Sequence, residues 1–175
     1  KGAITRRTRI ISLSHVVSLT GLRMPLAGIA DLARPRNILL VCDGAQAPGM
    51  LKVDVKDLKV DAYASSSHKW MLAPKGSGLL YIRKEVQDRI RPISLRSGYG
   101  VYTGSGGTRN APHIAGHGMA MDFHETIGRE KIESRTRTLA EYARGKASEL
   151  PGVHILTPGD PSLASGIISL SLKDK

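Results

Sequence analysis

A chain of 175 residues with 41% hydrophobic and 23% charged residues has the size and composition of one good-sized globular domain, which excludes an intrinsically disordered segment. No apolar run reaches the length of a signal peptide or a membrane-spanning helix, and the single cysteine, Cys42, excludes an intramolecular disulfide framework and a multi-cysteine metal site. The expected location is therefore the cytoplasm, with no membrane partner and no metal. The net charge of +11 comes from 26 basic residues against 15 acidic ones. Apart from "TRRTR" near the start, those bases are scattered among acids, and one Phe, one Trp and five Tyr offer few platforms for base stacking. A solvated basic surface is the better reading than a nucleic-acid interface.

In chain order, "RIISLSHV" (Arg9 to Val16) is a β-branched, apolar run expected to form a buried strand. A helix is expected next, with Leu26, Ile29, Ala30 and Ala33 at helical spacing behind Pro25. Ile38 to Cys42 form a continuous apolar strand stopped by Asp43 and a Gly/Pro loop. Strand, helix and strand in succession imply a right-handed crossover and a largely parallel sheet. Further strands are expected at "VDAYASS" and at "GLLYIR" (Gly78 to Arg83). A Gly-rich irregular stretch then leads into two helical segments, "PHIAGHGMAMDFHETIG" and "REKIESRTRTLAEYARGKASEL", the second with Ile132, Leu139, Ala143 and Leu150 on one stripe. "GVHILTP" and "SGIISLSL" read as two closing strands. The expected division is residues 1–127 as part of a large domain, 128–148 as a linking helix and 149–175 as the start of a small C-terminal α+β domain. One helix and two strands make a marginal core, so the chain is expected to be a fragment that does not begin at its native start.

In an open parallel sheet, ligands bind beyond the carboxyl ends of the strands. Three polar groups fall there: the "SHVVSLTG" loop, Asp43, and the Ser66, His68 and Lys69 of "SSSHKW". A carboxylate at a buried strand end needs a partner, and a plain salt bridge from Asp43 to Lys69 is one reading. The other is a pyridoxal 5′-phosphate (PLP) site, in which a lysine forms the Schiff base, an acid holds the pyridine nitrogen protonated, and a hydroxyl and an imidazole bind the phosphate. The residues alone leave both open.

A resemblance separates them. "DGAQAPG" (Asp43 to Gly49), the lysine of "SSSHKW" and then "PKGSGLLYIRKE" resemble the class V aminotransferase family of fold-type I PLP enzymes, which includes cysteine desulfurases, selenocysteine lyases and isopenicillin N epimerase-like proteins. "SHVVSLTGLRMP" before the aspartate and "GGTRNAPHIAGHGMAMDF" after the lysine extend it over nearly the whole chain. The resemblance implies the fold-type I α/β architecture, a mostly parallel sheet with helices on both faces. It implies PLP as cofactor, an amino-acid or aminoacyl substrate and a homodimer. It implies that Lys69 is the Schiff-base lysine, that Asp43 pairs with the pyridine nitrogen, and that Gln46 donates to the ring's phenolic oxygen. Ala45 would pack on one face of the ring, Ser66 and His68 would bind the phosphate, and Thr108 would reach the phosphate of the neighbouring subunit. His113, His117, His124 and His154 are expected to be surface or packing residues, with His15 set apart by its strand-end loop. Cys42 should point away from Asp43, into packing.

Ser18 stands where desulfurases commonly have an asparagine, and "HKWMLAPKGSG" and "GTRN" lean toward the epimerase-like branch. The alternatives are a cysteine desulfurase or selenocysteine lyase and, from another class, a non-catalytic basic nucleic-acid-binding or inactive truncated module. The substrate-carboxylate arginine and any desulfurase cysteine are expected downstream of Lys175, and a phosphate loop and ring-stacking group upstream of Lys1.

Overall fold

The structure is a computed structural model that describes residues 2–90 and 110–172. Strands β1 (Ile10–Ser14), β2 (Leu39–Asp43), β3 (Ala62–Ser66) and β4 (Gly78–Ile82) form one sheet in that spatial order. The first two pairings are parallel, and β3–β4 is antiparallel. That reversal follows from the short loop between β3 and β4, since a parallel return needs a crossover of a dozen residues or more.

Helix α1 (Leu26–Ala33) supplies the crossover from β1 to β2. Its buried Leu26 and Ala30 pack with Leu40, Cys42, Val60 and Tyr63, and with Ile11, Leu13, Leu79 and Tyr81 at the edge of the cluster. Every one of those strand residues lies on the same sheet face, because side chains alternate along a strand. The path from β2 to β3 carries no helix. It is a loop whose Ala47, Met50 and Leu51 build a second buried cluster with Val16.

The opposite sheet face is open at Ser12, Asp43, Ala64 and Leu80. Among the described residues, α1 alone supplies a core helix and it sits on the Cys42 face.

Helices α2 (Ala111–Ile127) and α3 (Arg129–Ser148) meet at Gly128, whose φ of 95° suits glycine. Asn110 caps α2 by accepting the His113 N–H. The apolar stripe expected on α3 does not face inward: Leu139 and Leu150 are exposed, as is Ala143. The inward side is instead oriented by polar bonds. Glu133 accepts from Arg23, Arg137 and the Lys52 N–H, while Arg137 reaches the Pro161 carbonyl. The charged groups therefore set the rotation of a helix whose apolar residues are too dispersed to do so.

Strands β5 (Val153–Ile155) and β6 (Leu170–Leu172) pair antiparallel in a separate two-stranded sheet. The segment joining them runs back onto the loop after β1, where Arg23 N–H donates to Leu163 O at 2.7 Å and Ser165 Oγ donates to Gly21 O at 2.8 Å. Gly21, with φ of 69°, lies directly against the Ile167 carbonyl, where a side chain would collide.

Candidate active site

The carboxyl ends of β1, β2 and β3 meet at one edge of the open face. Ser14, Asp43 and Ala64 form a row across the three strands, and Ser66 follows on that same face of β3. Cys42 points the other way, buried, and its thiol is pushed up to about 12 by desolvation first and by the nearby Asp43 charge second. It is held as a neutral packing group.

The turn after β2 is fixed from several directions. Asp43 O accepts the His15 N–H at 2.7 Å, Gly44 N–H donates to Ala64 O at 2.7 Å, and Ser65 Oγ donates to Gly44 O at 3.1 Å. The Tyr63 ring fills the space where any Cβ at Gly44 would sit, which is why a glycine follows the aspartate. Asp43 itself is exposed rather than buried. Its Oδ1 accepts the Ala45 N–H at 2.8 Å, and the ion pairs among the described residues do not join it to Lys69. The salt-bridge reading therefore falls. The sheet row turns the carboxylate to the open face.

The loop after β3 carries the other groups. Ser67 N–H donates to Ser77 O and Ala73 N–H to Ser67 O, both at 3.0 Å, so residues 67–77 fold into a closed lobe. His68 and Lys69 are exposed at its tip, and Leu72 takes a left-handed φ of 59° to let its N–H reach Lys69 O. The Oγ atoms of Ser66 and Ser67 are buried and have no hydrogen-bond partner. Unsatisfied buried hydroxyls are costly, so two of them at a strand end, beside an exposed histidine and lysine, form a donor set that suits an anion. Ala45 and Gln46 are half-buried beside Asp43, and Gln46 Oε1 accepts the Trp70 Nε1–H at 3.0 Å. Thr108 lies outside the described residues.

Sequence reasoning missed two features of this edge. One is the partnership of Trp70 with Gln46. The other is a buried pair, His15 Nδ1 and Tyr63 OH at 3.0 Å, lying under the Asp43–Gly44 turn. His15 is held down to about 4, first by desolvation and then by Arg23, with Glu133 opposing. Burial as a neutral ring has a consequence for stability. Between pH 4 and pH 6.5 the unfolded chain binds the proton that folded His15 refuses, so stability present above pH 6.5 is lost as pH falls through that window, by about 3 kcal/mol in all. Unfolding midpoints measured across that range should fall more steeply for the natural chain than for His15→Asn, with the two curves converging toward pH 4. Parallel curves would count against it.

Among the described residues no group of three or more His, Cys, Asp or Glu is placed to hold a metal ion, and no helix is long and apolar enough to cross a membrane. His124 is buried with both ring nitrogens unpartnered, His117 Nε2 is buried without a partner, His113 lies beside Gly76 of the lobe between β3 and β4, and His154 belongs to β5.

Fold and site together describe an open α/β sheet that gathers a carboxylate and hydroxyls at its carboxyl edge, with a lysine on the loop beside it. A sequence profile of the Aminotransferase class-V family matches residues 1–175, and the chain belongs to that family. It is 35% identical to an isopenicillin N epimerase from Streptomyces clavuligerus over 97% of this chain and 48% of that protein. It is 32% identical to a probable cysteine desulfurase from Halalkalibacterium halodurans over 98% of this chain and 44% of that protein. A solved structure of a lysine-to-alanine mutant of C-DES, with glycine covalently linked to the PLP cofactor, superimposes with a TM-score of 0.88 at 28% identity, covering 98% of this chain and 49% of the other. The fold is thus that of the PLP fold-type I enzymes, and the chain spans about half the length of the curated relatives it matches.

Proposed function

We propose that this chain contributes the cofactor half-site of a PLP-dependent enzyme acting at the α-carbon of an amino acid or aminoacyl substrate, of the isopenicillin N epimerase-like branch. The observation that carries the reading is the convergence at one sheet edge of a free carboxylate face at Asp43, an orphaned buried hydroxyl at Ser66 and an exposed amine at Lys69. When bound, PLP supplies an electron sink for the pair released as a substrate α-proton leaves.

The residues then take distinct tasks. Lys69 would hold the cofactor covalently, and its Nζ would be the group that takes the substrate's α-proton. Asp43, with Oδ1 already engaged by Ala45, offers its second oxygen to the pyridine nitrogen and keeps a proton there by a charge-assisted hydrogen bond. Gln46 donates to the phenolic oxygen, Ala45 covers a ring face, and Ser66 and His68 hold the phosphate. Thr108 serves the phosphate of a second subunit in a cytoplasmic homodimer. Residues 1–127 belong in this reading to the large domain, 128–148 to a linking helix and 149–175 to the small domain.

A cysteine desulfurase is the second reading, supported by the relatives and solved neighbours of that name. Cys42 gives it no help, because a buried neutral thiol is a poor nucleophile. The lean toward the epimerase-like branch rests on the identity to that relative and on the Trp70 that follows Lys69.

Borohydride reduction of the PLP-loaded protein followed by peptide mapping tests the proposal. The expected result is loss of the yellow colour with the cofactor's mass fixed on the peptide that carries Lys69. An unmodified Lys69 after loading and reduction would overturn it.

A further inference from the structure

Trp70 does more than follow the lysine. Its ring packs against the buried cluster of Val16, Ala47, Met50 and Leu51, and its Nε1–H points at Gln46 Oε1, 3.0 Å away. Nearby, Gly49 at φ of 88° sits against the Trp70 carbonyl and the Met71 nitrogen so closely that no side chain fits. The loop after β2 and the lobe after β3 are thus locked together at two adjacent points.

The chemistry of the pair decides which way the amide faces. An indole N–H can only donate, so the Gln46 oxygen must be the end that meets it. Both amide hydrogens are then turned away from Trp70, and the Gln46 side-chain hydrogen bond found among the described residues does not use them. A glutamine without such a partner can present either its oxygen or its nitrogen to a neighbour. Facing an anionic oxygen, those two orientations have opposite signs.

We propose that Trp70 is a positioning residue that fixes the polarity of the Gln46 amide, so that its NH₂ end alone faces the cofactor's phenolic oxygen. This rests on the PLP reading above. Trp70 acts through Gln46 and touches no reacting atom. A donor at the phenolic oxygen stabilises negative charge there and weakens that oxygen's hold on the neighbouring proton, so losing the donor raises the pH at which the bound cofactor's visible band titrates.

The test has two arms on the full chain. In the first, without cofactor, the protein's single tryptophan gives one indole ¹H–¹⁵N signal. Gln46→Leu, which keeps the indole packing, should move that signal upfield and speed its hydrogen exchange by about tenfold, the scale of one lost hydrogen bond. In the second, with PLP bound, Trp70→Phe should raise the midpoint of the visible band by about half to one pH unit, and Gln46→Leu, which removes the donor altogether, should raise it at least as far. An indole signal indifferent to Gln46 overturns the proposal. A Trp70→Phe protein that binds less PLP with an unmoved midpoint also overturns it, because that is what a purely structural tryptophan would do. A natural chain that takes up no PLP at all removes the positioning role along with the parent reading. An intact Gln46-dependent indole signal would then show that the parent reading, and not the hydrogen bond, had failed.

Discussion

Lys69→Ala is expected to abolish covalent attachment of PLP and to lower turnover of the assembled enzyme by about 10²–10⁴-fold or more, the range a positioned proton-transfer group supplies. The fold should survive. Lys69 is exposed at the tip of its lobe, and its backbone carbonyl, not its amine, is what the neighbouring Leu72 N–H needs. Nor does its side chain form any of the ion pairs found among the described residues. Loss of activity should therefore come with an unfolding midpoint close to that of the natural protein, since surface substitutions away from such features usually change stability by less than about 0.5 kcal/mol. An absorbance spectrum and a thermal melt on one sample separate the two effects. A Lys69→Ala protein that still fixed PLP after reduction would place the attachment elsewhere.

What could be read in the residues before the structure follows from how local each signal is. The run Ile38 to Cys42 announces a buried strand by composition alone, and alternation then sends Cys42 and Asp43 to opposite faces with Cys42 in the packing, as the structure has it. Ser66 and Lys69 fall at the end of β3 because a strand pattern and a Gly/Pro turn bracket them. The environment of Asp43 was less legible. Its exposure depends on which sheet face the helices cover, and no single strand states that. Pairings across long separations left no trace in spacing: His15 meets Tyr63 across 48 positions and Trp70 meets Gln46 across 24. The rotation of α3 was hidden for another reason, since its apolar residues suggested a stripe while Glu133 and Arg137, bonded to distant loops, set the face that turns inward. Polar anchors of that kind look in sequence like a solvated surface.

One such anchor governs the end of the sheet opposite the site. Asp61 is only 5% exposed, and both of its carboxylate oxygens are engaged: Oδ2 accepts the Leu40 N–H and Oδ1 accepts from Arg83, each at 2.8 Å. Its backbone joins in, donating to Leu40 O at 2.9 Å and accepting from Arg83 N–H at 2.8 Å. This knot ties the start of β3 to β2 on one side and to the residue after β4 on the other. Replacing Asp61 by alanine would strand a buried N–H at Leu40 and leave the Arg83 guanidinium, about a quarter exposed, without its close partner. Breaking a buried pair from one side costs about 3–5 kcal/mol, a large fraction of the roughly 5–15 kcal/mol that holds a domain folded. Arg83 would keep Glu85 at 3.2 Å, which places the effect at the lower end of that range. Asp61→Asn should cost less, since its amide oxygen can still accept one of the two bonds. Denaturant unfolding of the three proteins is expected to rank them natural, Asn and Ala in falling order. If Asp61→Ala matched the natural midpoint, β2, β3 and β4 would have to hold their register through their backbone ladder and apolar packing without this side chain. In that case the strand ends that present Asp43 and Ser66 would not depend on this anchor.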